Sequence, residues 1–267
     1  MPLQNDDPPA PVPPVTPMLE ICVDCQASVE ACQEAGIPRI ELCAGLVEGG
    51  TTPSWGFLRR ARATYDGRIM MMIRPRAGDF VVTASELQIM IDDIQAARDH
   101  GADGVVFGCL RPDGTVDAAA VERLLRAAGP MDVTFHRAFD VSLDVSASLE
   151  SLMALGVRRV LTSGGQASVD RGFASILALQ QQAAGRISLL AGGGLRPDHL
   201  PRLQAHGLHE FHLSARTSRP SPMVFRRPDV PMSAAEVPGD EIRREADPVL
   251  LRTLMGLLRP GSSSRSA

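Results

Sequence analysis

The sequence contains no lysine: every one of its 27 basic Lys-plus-Arg positions is arginine. No Schiff base can form on such a chain and no lysine can act as a general base, which removes one branch of enzyme chemistry. Aromatic residues make up only 4%, too few for a base-stacking platform on nucleic acid. A basic excess is missing as well. The 31 acidic residues outnumber the basic ones and leave a net charge of −4, so neither a nucleic-acid nor a membrane partner is expected. No run approaches the roughly 18 apolar residues that a membrane span needs. Residues 1–17 hold seven prolines and no apolar stretch, unlike a secretory signal. Four of the five cysteines fall within the first 43 residues. With no leader ahead of them, they read as reduced thiols in a cytoplasmic protein.

Hydrophobic residues make up 44% and charged residues 22% of the 267 positions, enough for one large domain with a sizeable core. The expected organisation is a disordered proline-rich extension over 1–17, a single domain over 18–259 and a disordered small-residue tail over 260–267. Within the domain a beat recurs. β-rich runs occupy Leu19–Val23, Arg39–Cys43, Arg68–Arg74, Gly104–Gly108, Asp132–His136, Arg159–Ser163, Ile187–Ala191 and Glu210–Ser214. Helical patterns fill the gaps. Thr83 with Glu86 three residues on forms a capping box, and Leu87, Met90, Ile91 and Ile94 follow at helical spacing. Asp117 opens another helix that Gly129 stops. Thr52-Pro53 and Asp247-Pro248 each set a capping side chain before a proline at the first helical position. Eight strand–helix units predict a closed parallel (β/α)₈ TIM barrel, an α/β fold in a single domain. An open doubly wound sheet is the rival, but the glycine fingerprint expected after its first strand is absent. Residues Ala215–Ala246 break the beat. A connection of this length is a lid over the barrel mouth, a floppy excursion or a subunit contact, and a homo-oligomer is expected.

Alternate residues of a barrel strand point inward. Both Leu19-Glu20-Ile21-Cys22 and Ile40-Glu41-Leu42-Cys43 send a glutamate and a cysteine into the barrel. Neighbouring strands lie about 4.8 Å apart, so Cys22 and Cys43 can face each other. Two thiolates suit Cu(I); equally, buried free cysteine is simply a small hydrophobe. Buried Glu20 and Glu41 need partners, and nearby arginines are the obvious ones. Cys22 and Cys25 also form a C-x-x-C, but a redox motif wants it at a helix start, and the helix is expected to begin nearer Ser28.

Arg74-Pro75-Arg76 forms a rigid cationic element suited to carboxylate or phosphate. Internal pairing with Glu20, Glu41 or Asp79 is the alternative. His136 closes the fifth run, where a barrel places a general acid or base, and Arg137 and Asp140 follow to orient it or to pair together. Gly-rich turns at 164–165 and 192–194 let backbone N–H groups approach an anion. His212 and Arg216 complete the same rim.

These strings resemble one known family. Ile40-Glu41-Leu42-Cys43, Glu48-Gly49-Gly50-Thr51-Thr52-Pro53 and the segments 73–80, 133–140, 161–164 and 211–216 are similar to the CutC family, named for copper homeostasis. The resemblance spans roughly Met18 to Arg226. It implies a TIM barrel and a Cu(I) role, with the two cysteines of the animal form falling on Cys22 and Cys43. That form carries serine where this chain has Cys25. The resemblance brings no catalytic residue with it. Three functions are therefore expected to compete: a cytoplasmic Cu(I)-binding protein, an enzyme acting on a small phosphate- or carboxylate-bearing substrate at the arginine–histidine rim, and a non-catalytic oligomeric scaffold whose 215–246 segment makes subunit contacts.

Overall fold

The structure is a computed structural model that describes residues 16–227, 229–230 and 241–258. Most of the expected N-terminal extension and all of the tail from 260 lie outside the described residues. Eight strands close into a parallel barrel in chain order: β1 (Met18–Val23), β2 (Arg39–Leu42), β3 (Arg68–Met72), β4 (Gly104–Phe107), β5 (Asp132–Phe135), β6 (Arg159–Thr162), β7 (Ser188–Ala191) and β8 (Glu210–Leu213). The fold is the expected TIM barrel. β8 returns beside β1, with Glu20 opposite His212, to close the ring.

Helices α1 (Gln26–Ala35), α2 (Trp55–Thr64), α3 (Ala84–Asp99), α4 (Ala118–Ala128), α5 (Val145–Ala154), α6 (Val169–Ala183), α7 (His199–Gln204) and α8 (Pro248–Leu257) complete the units. Their apolar faces meet the outward-pointing strand residues, so that Leu19, Ile21, Ile40 and Leu42 share one continuous core with Val29, Leu58, Met90 and Leu124. Cys43, Met70, Met72 and Val106 form a separate small cluster on the inward side of their strands.

The caps explain where helices start. Thr83 and Glu86 make the reciprocal capping box of α3, Asp117 caps α4, and Asp247 precedes Pro248 at the start of α8. Two starts differ from the sequence expectation. α2 is capped by Ser54, which accepts from the Phe57 N–H; Thr52 instead accepts from the Arg74 N–H at 2.9 Å and ties its loop to the end of β3. α1 begins at Gln26 with Cys25 as N-cap. Ser28, expected near its start, turns inward and accepts from the Ala246 N–H at 2.9 Å.

The run Ala215–Ala246 is not a bare loop. Its ends pair as an antiparallel ribbon, β9 (Arg216–Pro220) with β10 (Ile242–Ala246). The Ser28 bond fastens this ribbon to α1.

At the N-terminal end of the barrel the inward side chains are charged. Arg39 bridges Glu20 and Glu210, each at 2.5 Å. Arg159 joins Glu210 at 2.7 Å and Asp132 at 3.0 Å. Buried charges persist only when paired in this way.

Candidate functional site at the barrel mouth

The C-terminal ends of the strands surround a cavity of about 680 Å³, the end of a barrel where side chains from several strands converge on one space. Its floor carries Cys22 from β1, Glu41 from β2 and His212 from β8, whose ligand-type atoms all lie within 4.8 Å of one another. All three are buried.

Glu20 stands behind this group and does not line the cavity. Its Oε1 meets His212 Nδ1 at 2.8 Å, and its Oε2 accepts from Arg39. Burial alone would raise its carboxyl, but Arg39 and the bond to His212 win and hold it down at about 2. His212 is in turn raised well above the usual imidazole range. Burial opposes its charge, and the interactions with neighbouring Cys22, Glu41 and Glu20 outweigh burial. Its ring orientation is thereby fixed from behind, as a second layer fixes a metal-binding histidine.

Among the described residues no arginine lies within 4.0 Å of Glu41, whose nearest cation-type neighbour is His212 Nε2 at 3.9 Å. Burial, with the charge of Glu20, pushes its carboxyl upward. Oε1 has no hydrogen-bond partner, and Oε2 accepts from the Cys43 thiol at 3.4 Å.

The two cysteines named in the sequence do not share a level. Cys22 lies opposite Glu41 in the ladder, just as Glu20 lies opposite Arg39. The stagger that closes a barrel shifts the β2 motif two residues along β1. Cys43 therefore stands one step above, fully buried against Met70 and Met72, outside the three-donor group and off the cavity wall. Burial, followed by the charge of Glu41, pushes its thiol well up.

Arg74 and His136 both line the cavity; Arg76 and Asp79 do not. Arg76 pairs with Asp79 at 3.1 Å and Glu86 at 2.6 Å, which realises the internal-pairing alternative for that arginine. Arg137 and Asp140 pair at 2.7 Å. Asp140 also accepts from Thr162 Oγ1 and from the N–H groups of Ser163 and Gly165, so its carboxylate organises the turn after β6. Arg137 reaches Ser163 Oγ at 2.8 Å. His136 is fully desolvated, and burial, aided by the charge of Arg74, lowers its imidazole to about 3.

Sequence reasoning missed Arg39, Arg159 and Glu210, which form the charged belt behind the floor. Their signal was present: each sits on an inward position of its strand, as Glu20 does. Phe80 carried no signal of its own in the sequence, yet its ring lies 5.0 Å from both the Arg74 guanidinium and the His136 ring.

A family model described as the CutC family matches residues 17–217. A mouse (Mus musculus) relative, named copper homeostasis protein cutC homolog, is 43% identical over 243 residues, covering 91% of this chain and 89% of its own. A Bacteroides thetaiotaomicron relative, named family protein CutC, is 45% identical over 215 residues, covering 80% of this chain and 86% of its own. The crystal structure of a copper homeostasis protein CutC from Streptococcus agalactiae superposes with a TM-score of 0.70 at 33% identity. It covers 74% of this chain and 98% of its own.

Proposed function

The chain belongs to the CutC family, and on that premise we propose that it is a copper-homeostasis protein that takes Cu(I) as cargo at the barrel floor. The observation that carries this reading is the convergence of Cys22, Glu41 and His212 within 4.8 Å of one another. A thiolate and an imidazole are donors that Cu(I) accepts; a carboxylate is a harder ligand better suited to other ions. The second soft donor in this reading is Cys43, whose thiol hydrogen-bonds to Glu41 at 3.4 Å. Cys22 anchors the ion, His212 is held in place by Glu20, and Cys43 supplies the second sulfur.

The same reading places the protein in the cytoplasm, supported by five cysteines that are all free thiols. Among the described residues no helix is long and apolar enough to cross a membrane. It also includes self-association through the 215–246 segment, supported by exposed Met223, Val224 and Phe225 on that segment.

The test is an anaerobic Cu(I) titration against a competing chelator. Wild type is expected to bind one equivalent. Cys22→Ser and Cys43→Ser are each expected to weaken binding at least tenfold, and Cys25→Ser to leave it unchanged. Affinity indifferent to which cysteine is removed would overturn the reading.

A further inference from the structure

Four arginines line the mouth cavity: Arg74, Arg137, Arg196 and Arg216. Three have a carboxylate within 4.0 Å: Arg137 has Asp140, Arg196 has Asp170 and Asp198, and Arg216 has Asp24. Arg74 has none among the described residues. It is the most deeply buried of the four, at 8% exposure. Its Nη1 donates to the carbonyls of Glu48 and Gly50, and its Nη2 to that of Gly78. These bonds hold the fork still but supply no countercharge. Its Nε–H is buried and has no partner.

His136 stands beside it on the same wall. Its Nδ1 accepts from the Ala138 N–H at 3.2 Å, which leaves the ring proton on Nε2. That Nε2 is also buried and unpartnered. A buried N–H without a partner costs the full desolvation of the group, and a buried unpaired cation costs more. Two such donors on one cavity wall mark a place where the fold forgoes stability. Both flank the Phe80 ring.

We propose that the mouth cavity binds a small organic anion, with one oxyanion group, carboxylate or phosphate, accepting from Arg74 Nε and His136 Nε2. A guanidinium N–H and a neutral imidazole N–H are each donors that the oxygens of such a group accept. The remainder of the ligand is organic, because the space of about 680 Å³ lies in the range of small-molecule pockets, roughly 300–1,000 Å³. Met72, Leu161 and Leu213 give its wall an apolar face. The proposal uses neither Cys22 nor Cys43 and is independent of copper.

The experiment is calorimetric titration of the metal-free protein with hexanoate, succinate, glycerol 3-phosphate and inorganic phosphate, with sodium chloride as the ionic-strength control. Saturable one-to-one binding of at least one of the three organic anions is expected, tighter than that of inorganic phosphate. Preference for glycerol 3-phosphate assigns the phosphate class; preference for hexanoate or succinate assigns the carboxylate class. Arg74→Gln is expected to weaken binding at least tenfold. His136→Phe is expected to weaken it, and His136→Gln, which keeps an N–H donor, to restore it in part. If Arg74→Gln does not fold, the pair His136→Phe and His136→Gln decides. No saturable binding of any organic anion to wild type, or equal binding by a folded Arg74→Gln, overturns the proposal.

Discussion

Glu20 and Glu41 occupy the same position in two nearly identical strand motifs and meet opposite electrostatic fates. Glu20 faces Arg39 and His212 and is held ionised; Glu41 faces no arginine, and burial raises it. Removing Arg39 leaves Glu20 and Glu210 in a dry interior with one cationic partner fewer. Arg39→Met is therefore expected to cost about 3 kcal/mol, the lower end for breaking a buried pair. Urea unfolding with an unchanged m-value checks it; a cost below about 1 kcal/mol would mean that water reaches the belt. Thiol reactivity divides in the same way. Burial raises Cys32 and Cys109 to about 12 and pushes the Cys43 thiol well up, and only the thiolate attacks an alkylating agent. Cys25 is the partly exposed cysteine. Iodoacetamide at pH 8 is expected to label Cys25 first in the native protein, with Cys32, Cys43 and Cys109 protected until unfolding, as read by peptide mass spectrometry. Early labelling of Cys43 would show that the barrel floor opens. The inward set Glu20, Cys22, Glu41 and Cys43 was legible in the sequence because strand alternation has a period of two. Their relative heights were not. The stagger of two residues between β1 and β2 is a property of barrel closure, and no local pattern encodes it.

At the level of elements, the strand–helix beat and the caps of α3, α4 and α8 were readable because each rests on a local signal. The ribbon of β9 with β10 was not, since its strands are polar, mostly exposed and far apart in the chain. Its attachment to α1 includes a buried bond from the Ala246 N–H to Ser28 Oγ. Ser28→Ala leaves that N–H without a partner and is expected to cost about 1–3 kcal/mol. A larger loss of hydrogen-exchange protection in 216–220 and 242–246 than in the barrel strands would locate the effect; uniform loss would contradict it. A second element contact is steric. Gly172, inside α6, lies so close to the end of β6 that a Cβ there would stand 1.8 Å from the Ser163 carbonyl oxygen. Neither partner is a flexible side chain, so the helix must move. Gly172→Ala is expected to destabilise the fold by about 1–3 kcal/mol, as overpacking does, despite the better helix propensity of alanine. Ser163 also receives Arg137 and contacts Asp140, so the shift carries into the cavity rim. A thermal melt as high as wild type would refute the close approach.

For the whole molecule, the buried ionisable groups set the shape of stability against pH, and their signs differ. His136 titrates at about 3 in the folded state because burial, with Arg74 beside it, disfavours the imidazolium; in the unfolded chain it titrates near about 6.5. A depressed folded value means that its contribution is complete above about pH 6.5 and is lost as pH falls toward 3. Glu20, at about 2 when folded, has the same sign, but its loss begins only below about pH 5. His212 is raised, so its contribution is complete below about pH 6.5 and is lost as pH rises through its folded value. Glu41, raised by burial, opposes His136 and Glu20 here, because its folded carboxyl keeps a proton that the unfolded one has released. Between about pH 4.5 and 6 His136 contributes the rising part of the acid limb: it then binds one proton in the unfolded state and none in the folded one. Replacing it with Phe removes that proton. His136→Phe is expected to flatten the acid limb by about 1.4 kcal/mol per pH unit while leaving the alkaline limb parallel to wild type. Urea midpoints taken from pH 4.5 to 8.5 on both proteins measure the two slopes. The lost Ala138 bond shifts the whole variant curve by a constant and does not alter its slope. Equal acid limbs would mean that His136 charges freely in the native barrel. The cavity wall beside Arg74 would then be wet, with solvent pairing the two N–H donors.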